Sequence, residues 1–137
     1  MRAEEYFLLG CKLETEDYDR AKVAYEEALV RQPSHIAARI NLGRLLHVEG
    51  HIEDAIEHYQ KVLKWEPRSA VALFNLGLAF EDIGENQQAI DAYEQALCLD
   101  TMLEDAHYSL VKLYTHAGKQ VKAQQHLSAY QRLTHQP

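Results

Sequence analysis

The sequence predicts an all-α protein, an α-α superhelix of eight helices arranged as four antiparallel hairpins. Three observations carry that prediction. First, the chain repeats every 34 residues: Ala21, Ala55, Ala89 and Ala123 form one column, Tyr25, Tyr59, Tyr93 and Leu127 a second, and Ala28, Val62, Ala96 and Tyr130 a third. Upstream, Leu8, Leu42, Leu76 and Leu110 share a column, as do Leu46, Phe80 and Tyr114. Second, the apolar residues inside each copy recur at helical spacing. Third, glycine and proline fall between the apolar runs, with Gly50, Gly84 and Gly118 in one column and Pro33 and Pro67 closing the first two copies. The copies span residues 2–35, 36–69, 70–103 and 104–137 of one domain, 1–137. A period of this length marks a solenoid, in which each unit buries its apolar face only by stacking on its neighbours.

The first copy keeps Ala21, Tyr25, Ala28 and Pro33, but its Leu9-Gly10 pair stands one residue late against Leu42-Gly43. A one-residue deletion around Glu16-Asp17 and a tighter hairpin are expected. In the second copy, Ile36, Ile40, Leu42, Gly43, Leu45 and Leu46 form one helical run, and Ile52, Ala55, Ile56, Tyr59, Val62 and Leu63 another. Gly50 is placed to end the first helix in the left-handed conformation. Gly43 and Ala55 are small where two helix axes approach, and Tyr59 fills the space beside them. Pro67 stops the second helix and Ser69 offers a cap to the next; Thr101 with Glu104 has the spacing of a capping box at the start of the fourth copy.

Composition removes whole classes of function. The chain has 137 residues, 47% hydrophobic and 26% charged, an ordinary balance for a folded domain. No apolar run approaches the roughly 20 residues that span a bilayer, and Met1-Arg2-Ala3-Glu4-Glu5 is unlike a signal peptide. A cytoplasmic protein without membrane contact is expected. Cys11 and Cys98 lie far apart and form neither a disulfide framework nor a zinc motif. The net charge of -7 is unevenly spread: -3 in the first copy, zero in the second, -6 in the third and +2 in the fourth. The third copy contains no lysine or arginine. That field attracts basic partners and repels phosphate backbones, so direct nucleic-acid binding is disfavoured. The eight histidines form no motif. His47 and His51 are four apart, but Gly50 at the predicted helix end separates them, and no acidic or sulfur ligand completes a metal site. Without a phosphate loop, nucleophile elbow or HExxH, the sequence predicts no enzyme, no metal and no cofactor.

These repeat columns resemble the tetratricopeptide repeat family, in whose pattern a small residue, a glycine, aromatic residues, two alanines and a proline stand at these spacings. The resemblance covers essentially the whole chain, with one departure: the tryptophan common early in the family's unit is absent, and Arg39 occupies that column in the second copy. The family likeness implies a non-catalytic scaffold or adaptor whose first helices line a groove that holds a protein or peptide. Carried onto this chain, the groove residues are Ile40, Asn41, Arg44, His47 and Val48, then Phe74, Asn75, Leu78, Glu81 and Asp82, then Tyr108, Ser109, Lys112, Thr115 and His116. In the first copy they are Phe7, Cys11 and Glu14. Asn41 and Asn75 share a column, a short form of the asparagine ladder with which some members grip a peptide backbone, since an amide both donates and accepts. The alternative for these asparagines is hydrogen bonding to neighbouring helices. The family's clamp for a C-terminal carboxylate is missing, because Phe7, Ile40 and Phe74 stand where it needs lysine. Arg44 and Lys112 remain as anchors for an acidic side chain or as solvated charges.

The terminal repeats carry no evident polar cap. Leu110, Leu113, Leu127 and Leu133 are expected to present an apolar surface on the last hairpin, suited to self-association or to a further domain. The stretches Ala3 to Cys11 and His126 to Leu133 also resemble repeat segments attached to bacterial MerR-type regulators. That likeness implies an alternative role as a regulatory or oligomerisation module of a larger bacterial protein such as a transcription regulator.

Overall fold

The computed structural model describes residues 1–135; Gln136 and Pro137, assigned above to the fourth repeat, lie outside the described residues. Among the described residues eight helices run in order: α1 Ala3–Leu13, α2 Tyr18–Arg31, α3 Ile36–Val48, α4 Ile52–Trp65, α5 Ala70–Asp82, α6 Asn86–Leu99, α7 Glu104–His116 and α8 Gln120–Thr134. The chain divides into two compact units, Met1–Pro67 with α1 to α4 and Arg68–Pro137 with α5 to α8. Each unit holds two hairpins, and its second helix also packs on its third.

One contact explains why the hairpins close. Tyr25, Tyr59 and Tyr93 are wholly buried, each lying flat against a glycine of the preceding helix. A Cβ added to Gly10, Gly43 or Gly77 would meet the tyrosine ring at 2.5, 2.7 or 2.6 Å, far inside van der Waals contact. The fourth hairpin exchanges the sizes: Val111 stands in the glycine column and Leu127 in the tyrosine column. A larger residue on one helix is matched by a smaller one on the other.

Three hairpins turn through Gly50, Gly84 and Gly118 at φ 88°, 79° and 75°, the left-handed region. The first has no such glycine, and the expected tight turn is not what forms. Its linker, Glu14–Asp17, has four residues where Glu49–His51, Ile83–Glu85 and Ala117–Lys119 have three; the missing length comes out of α1, which has 11 residues against 13 in α3. Asp17 then caps α2, its carboxylate accepting from the amides of Asp19 and Arg20 at 3.1 and 3.3 Å. The same shift removes Leu8 from its column. Leu42, Leu76 and Leu110 are buried, whereas Leu8 is 57% exposed; Leu9 beside Gly10 is the equivalent residue, and it too is exposed, at 37%.

Two further expectations are corrected. The capping box at Thr101 and Glu104 does not form: α7 begins at Glu104, and its cap position is Leu103, which makes no side-chain bond. Ser69, by contrast, accepts from the Ala72 amide at 3.1 Å, as expected. Leu110 and Leu113 are core residues rather than exposed apolar surface, while Leu127 and Leu133 are half-buried.

Candidate functional site

In the first unit, the predicted groove residues of α1 and α3 meet around Tyr25. Its hydroxyl donates to the Glu14 carboxylate, and the Asn41 amide donates to the Tyr25 oxygen at 3.3 Å and to Cys11 Sγ at 3.8 Å. Arg44 Nη2 donates to the second Glu14 oxygen at 2.8 Å. Burial foremost, and then the Glu14 bond, push the Tyr25 hydroxyl far above its ordinary range. Burial works against the Arg44 charge, and the Glu14 carboxylate outweighs it, so Arg44 is held above its usual value. Arg44 is therefore already paired, and the Asn41 amide already donates inside the protein. Ile40 and His47 are half-buried on the same helix and Val48 is exposed. Phe7 lies 6.1 Å from the Tyr25 ring and 4.9 Å from His35.

The second unit rebuilds this arrangement with different residues. Tyr93 donates to Glu81 at 2.8 Å, Ser109 hydrogen-bonds the same hydroxyl, and Lys112 pairs with the other Glu81 oxygen at 3.5 Å. Lys112 also sits 5.1 Å above the Tyr108 ring, which packs on Tyr130 at 5.5 Å. Burial is again the main reason that Tyr93 is raised. Of the other predicted groove residues, Phe74, Asn75 and Leu78 are half-buried on α5; Tyr108, Thr115 and His116 are exposed on α7, as is Asp82 at the end of α5. Phe74 lies 5.8 Å from Tyr93 and, with Met102, Leu103, Glu104 and Asp105, lines a cavity of about 250 Å³.

That Glu14 and Glu81 bind the column tyrosines is not among the sequence expectations. A signal existed: tyrosine, acid and cation recur two repeats apart, in Tyr25, Glu14 and Arg44 and again in Tyr93, Glu81 and Lys112.

A second two-repeat pattern occupies the family's missing tryptophan column. Arg39 is buried, donating to the Pro33 carbonyl at 2.7 Å and bonding His58 Nδ1 at 3.1 Å, with Trp65 5.1 Å beneath its guanidinium. Burial lowers the Arg39 pKa; burial and the Arg39 charge lower that of His58. Two repeats later His107 takes the place of Arg39 and His126 that of His58, their Nδ1 atoms 2.9 Å apart. His107 Nε2 donates to the Thr101 carbonyl at 3.2 Å, and His126 Nε2 lies 2.9 Å from Glu94. In repeats one and three, the His58 column holds Ala24 and Ala92. His47 lies on α3 and His51 beyond the turn at Gly50. Among the described residues, no three histidine, cysteine or acidic side chains are grouped to hold a metal ion, and no helix is long and apolar enough to cross a membrane.

Family profiles described as tetratricopeptide repeat match residues 12–76 and 70–100. No curated protein sequence matches the chain. Among solved structures the chain is similar to a crystal structure of MamA protein, at 32% identity and a TM-score of 0.88 over 96% of this chain and 73% of that one. It is also similar to a second crystal structure of MamA, at 34% identity and a TM-score of 0.84 over 90% and 73%. MamA from Desulfovibrio magneticus RS-1, at 24% identity and a TM-score of 0.86 over 96% and 75%, shares the fold.

Proposed function

The chain belongs to the tetratricopeptide repeat family, whose α-α superhelix is a protein-interaction scaffold and generally non-catalytic, and from that premise we propose that its first-helix faces bind a protein or peptide partner. One observation carries this reading. The column held by Phe7, Ile40, Phe74 and Tyr108 places a large apolar side chain at the same point of every repeat, and each is left half-buried or exposed. Beside it, one acid and one cation in each unit are committed to each other. Glu14 holds Arg44 in the first unit and Glu81 holds Lys112 in the second. Each unit thus offers paired charges and an apolar residue on both of its first helices to a polypeptide, whose large side chains dominate interface energetics. Asn41 contributes less freely than a bare asparagine ladder would, because its amide nitrogen is engaged with Tyr25 and Cys11. Its carbonyl oxygen and the Asn75 amide are the groups that would pair with a peptide backbone.

The test is capture of partners by the full chain, repeated with Phe74→Ser and Tyr108→Ser together, and with Asn41→Ala and Asn75→Ala together. We expect the apolar pair to weaken the retained partner at least about ten-fold and the asparagine pair by less, with helicity unchanged by circular dichroism. Capture that both pairs leave intact would remove these faces from the account.

A further inference from the structure

We infer that the cavity beside Phe74 in the second unit is a subsite for one lysine or arginine side chain of the bound polypeptide, an inference that rests on the binding face proposed above. The cavity, of about 250 Å³, is smaller than a drug-sized pocket and suits a single side chain. Its lining combines apolar Phe74, Met102 and Leu103 with acidic Glu104 and Asp105. A long basic side chain matches both: its methylene stem packs on Met102 and Leu103, its head reaches the carboxylates, and a guanidinium also lies well on the Phe74 ring. An acidic side chain would be repelled. A purely apolar one would cover the two carboxylates without pairing them.

Two observations separate this cavity from a generic acidic surface. The carboxylates are uncommitted: among the described residues neither Glu104 nor Asp105 forms an ion pair, the residues from Ala70 to Leu103 include no lysine or arginine, and Lys112 is held by Glu81. The matching place in the first unit, by contrast, is filled. There the residues corresponding to 102–105 are Ser34, His35, Ile36 and Ala37. The His35 ring packs against Phe7 at 4.9 Å, accepts the Ala38 amide at 3.1 Å and bonds Glu4 at 2.8 Å. Leu103 makes none of those bonds, so the aromatic residue of α5 faces an open space with acids at its edge.

The experiment is selection of random displayed peptides on the immobilised full chain, followed by fluorescence anisotropy of the enriched peptides. We expect a lysine or arginine at one constant position beside apolar residues. Replacing it by citrulline or norleucine, or changing the protein by Glu104→Gln with Asp105→Asn, should each weaken binding about ten-fold and flatten its salt dependence. Enriched peptides without a basic position, or affinities that the double variant leaves unchanged, would overturn the subsite. If those same peptides still lose affinity with Phe74→Ser and Tyr108→Ser, the binding face stands without it. If no peptide is enriched at all, the binding face falls and the subsite with it.

Discussion

In the first unit Tyr25 donates to Glu14, which also holds Arg44; in the second, Tyr93 donates to Glu81, which holds Lys112. The buried end of each tyrosine is thus anchored in the same way, although asparagine in one unit is replaced by serine in the other. The units part at the start of their second hairpins. His35 caps α3 and fills the space beside Phe7, whereas Leu103 leaves α7 without a side-chain cap and a cavity beside Phe74. The anchor recurs on Tyr25 and Tyr93, whose rings close the first and third hairpins against Gly10 and Gly77. The entrance is free to vary because the helix forms there either way, so that is where the two units acquire different surfaces.

The largest effect should come from breaking the shared device. Gly77→Ala places a methyl group 2.6 Å from the Tyr93 ring and should cost about 3 kcal/mol in urea unfolding. Gly77→Val with Tyr93→Leu, which imports the fourth repeat's own pair, should recover most of that loss. If the double variant is no better than the single, Val111 and Leu127 do not compensate each other in size.

The entrance is next. His35→Ala removes a helix cap, the bond to Glu4 and the ring contact with Phe7, and should cost about 1–2 kcal/mol by the same measurement. Leu103→Ser, which offers α7 the cap that Ser69 gives α5, should instead be neutral or stabilising by less than about 1 kcal/mol. A destabilising Leu103→Ser would mean that Leu103 contributes more through packing than a cap can supply.

Acid should act through the second two-repeat pattern. His58 has its pKa lowered in the fold by burial and by Arg39, below the ordinary value of 6.5. The unfolded chain then binds the proton more readily, so this contribution is fully present above pH 6.5 and is lost as the pH falls through the folded value. Urea midpoints measured downward from neutral pH should decline, and His58→Gln should flatten part of the decline. A slope identical in the variant would exclude His58 as its source.

The smallest effect compares the two cations. Lys112→Met should change stability by less than about 0.5 kcal/mol, since the lysine is half-exposed and 3.5 Å from Glu81. Arg44→Met should cost more, about 1 kcal/mol, because Arg44 hydrogen-bonds Glu14 at 2.8 Å, whereas the two acids are similarly buried. Equal losses would show that the shorter, hydrogen-bonded Arg44 contact has no energetic consequence.

Much of this was readable from the residues. Turn glycines at Gly50, Gly84 and Gly118, the cap at Ser69 and the buried tyrosine column follow from local chemistry and a fixed period. The deletion in the first repeat was legible too, but not where its missing residue would be taken from. A helix end and a linker trade length freely, and Asp17 decided the matter by capping α2. The candidate site was legible as a set of columns and not as a set of bonds. Arg44, Lys112 and Asn41 look like available groups in sequence because their partners are far from them along the chain; folding brings Glu14 to Arg44, Glu81 to Lys112, and Tyr25 and Cys11 to Asn41, each from the preceding hairpin.

The sequence by itself therefore determined the repeat, the number and order of the helices and the small-against-large pairing that closes each hairpin, because these arise within about 34 neighbouring residues. Only the tertiary structure decided which polar side chains neutralise one another. Those contacts join successive hairpins, and the distances between their charged groups are set by packing.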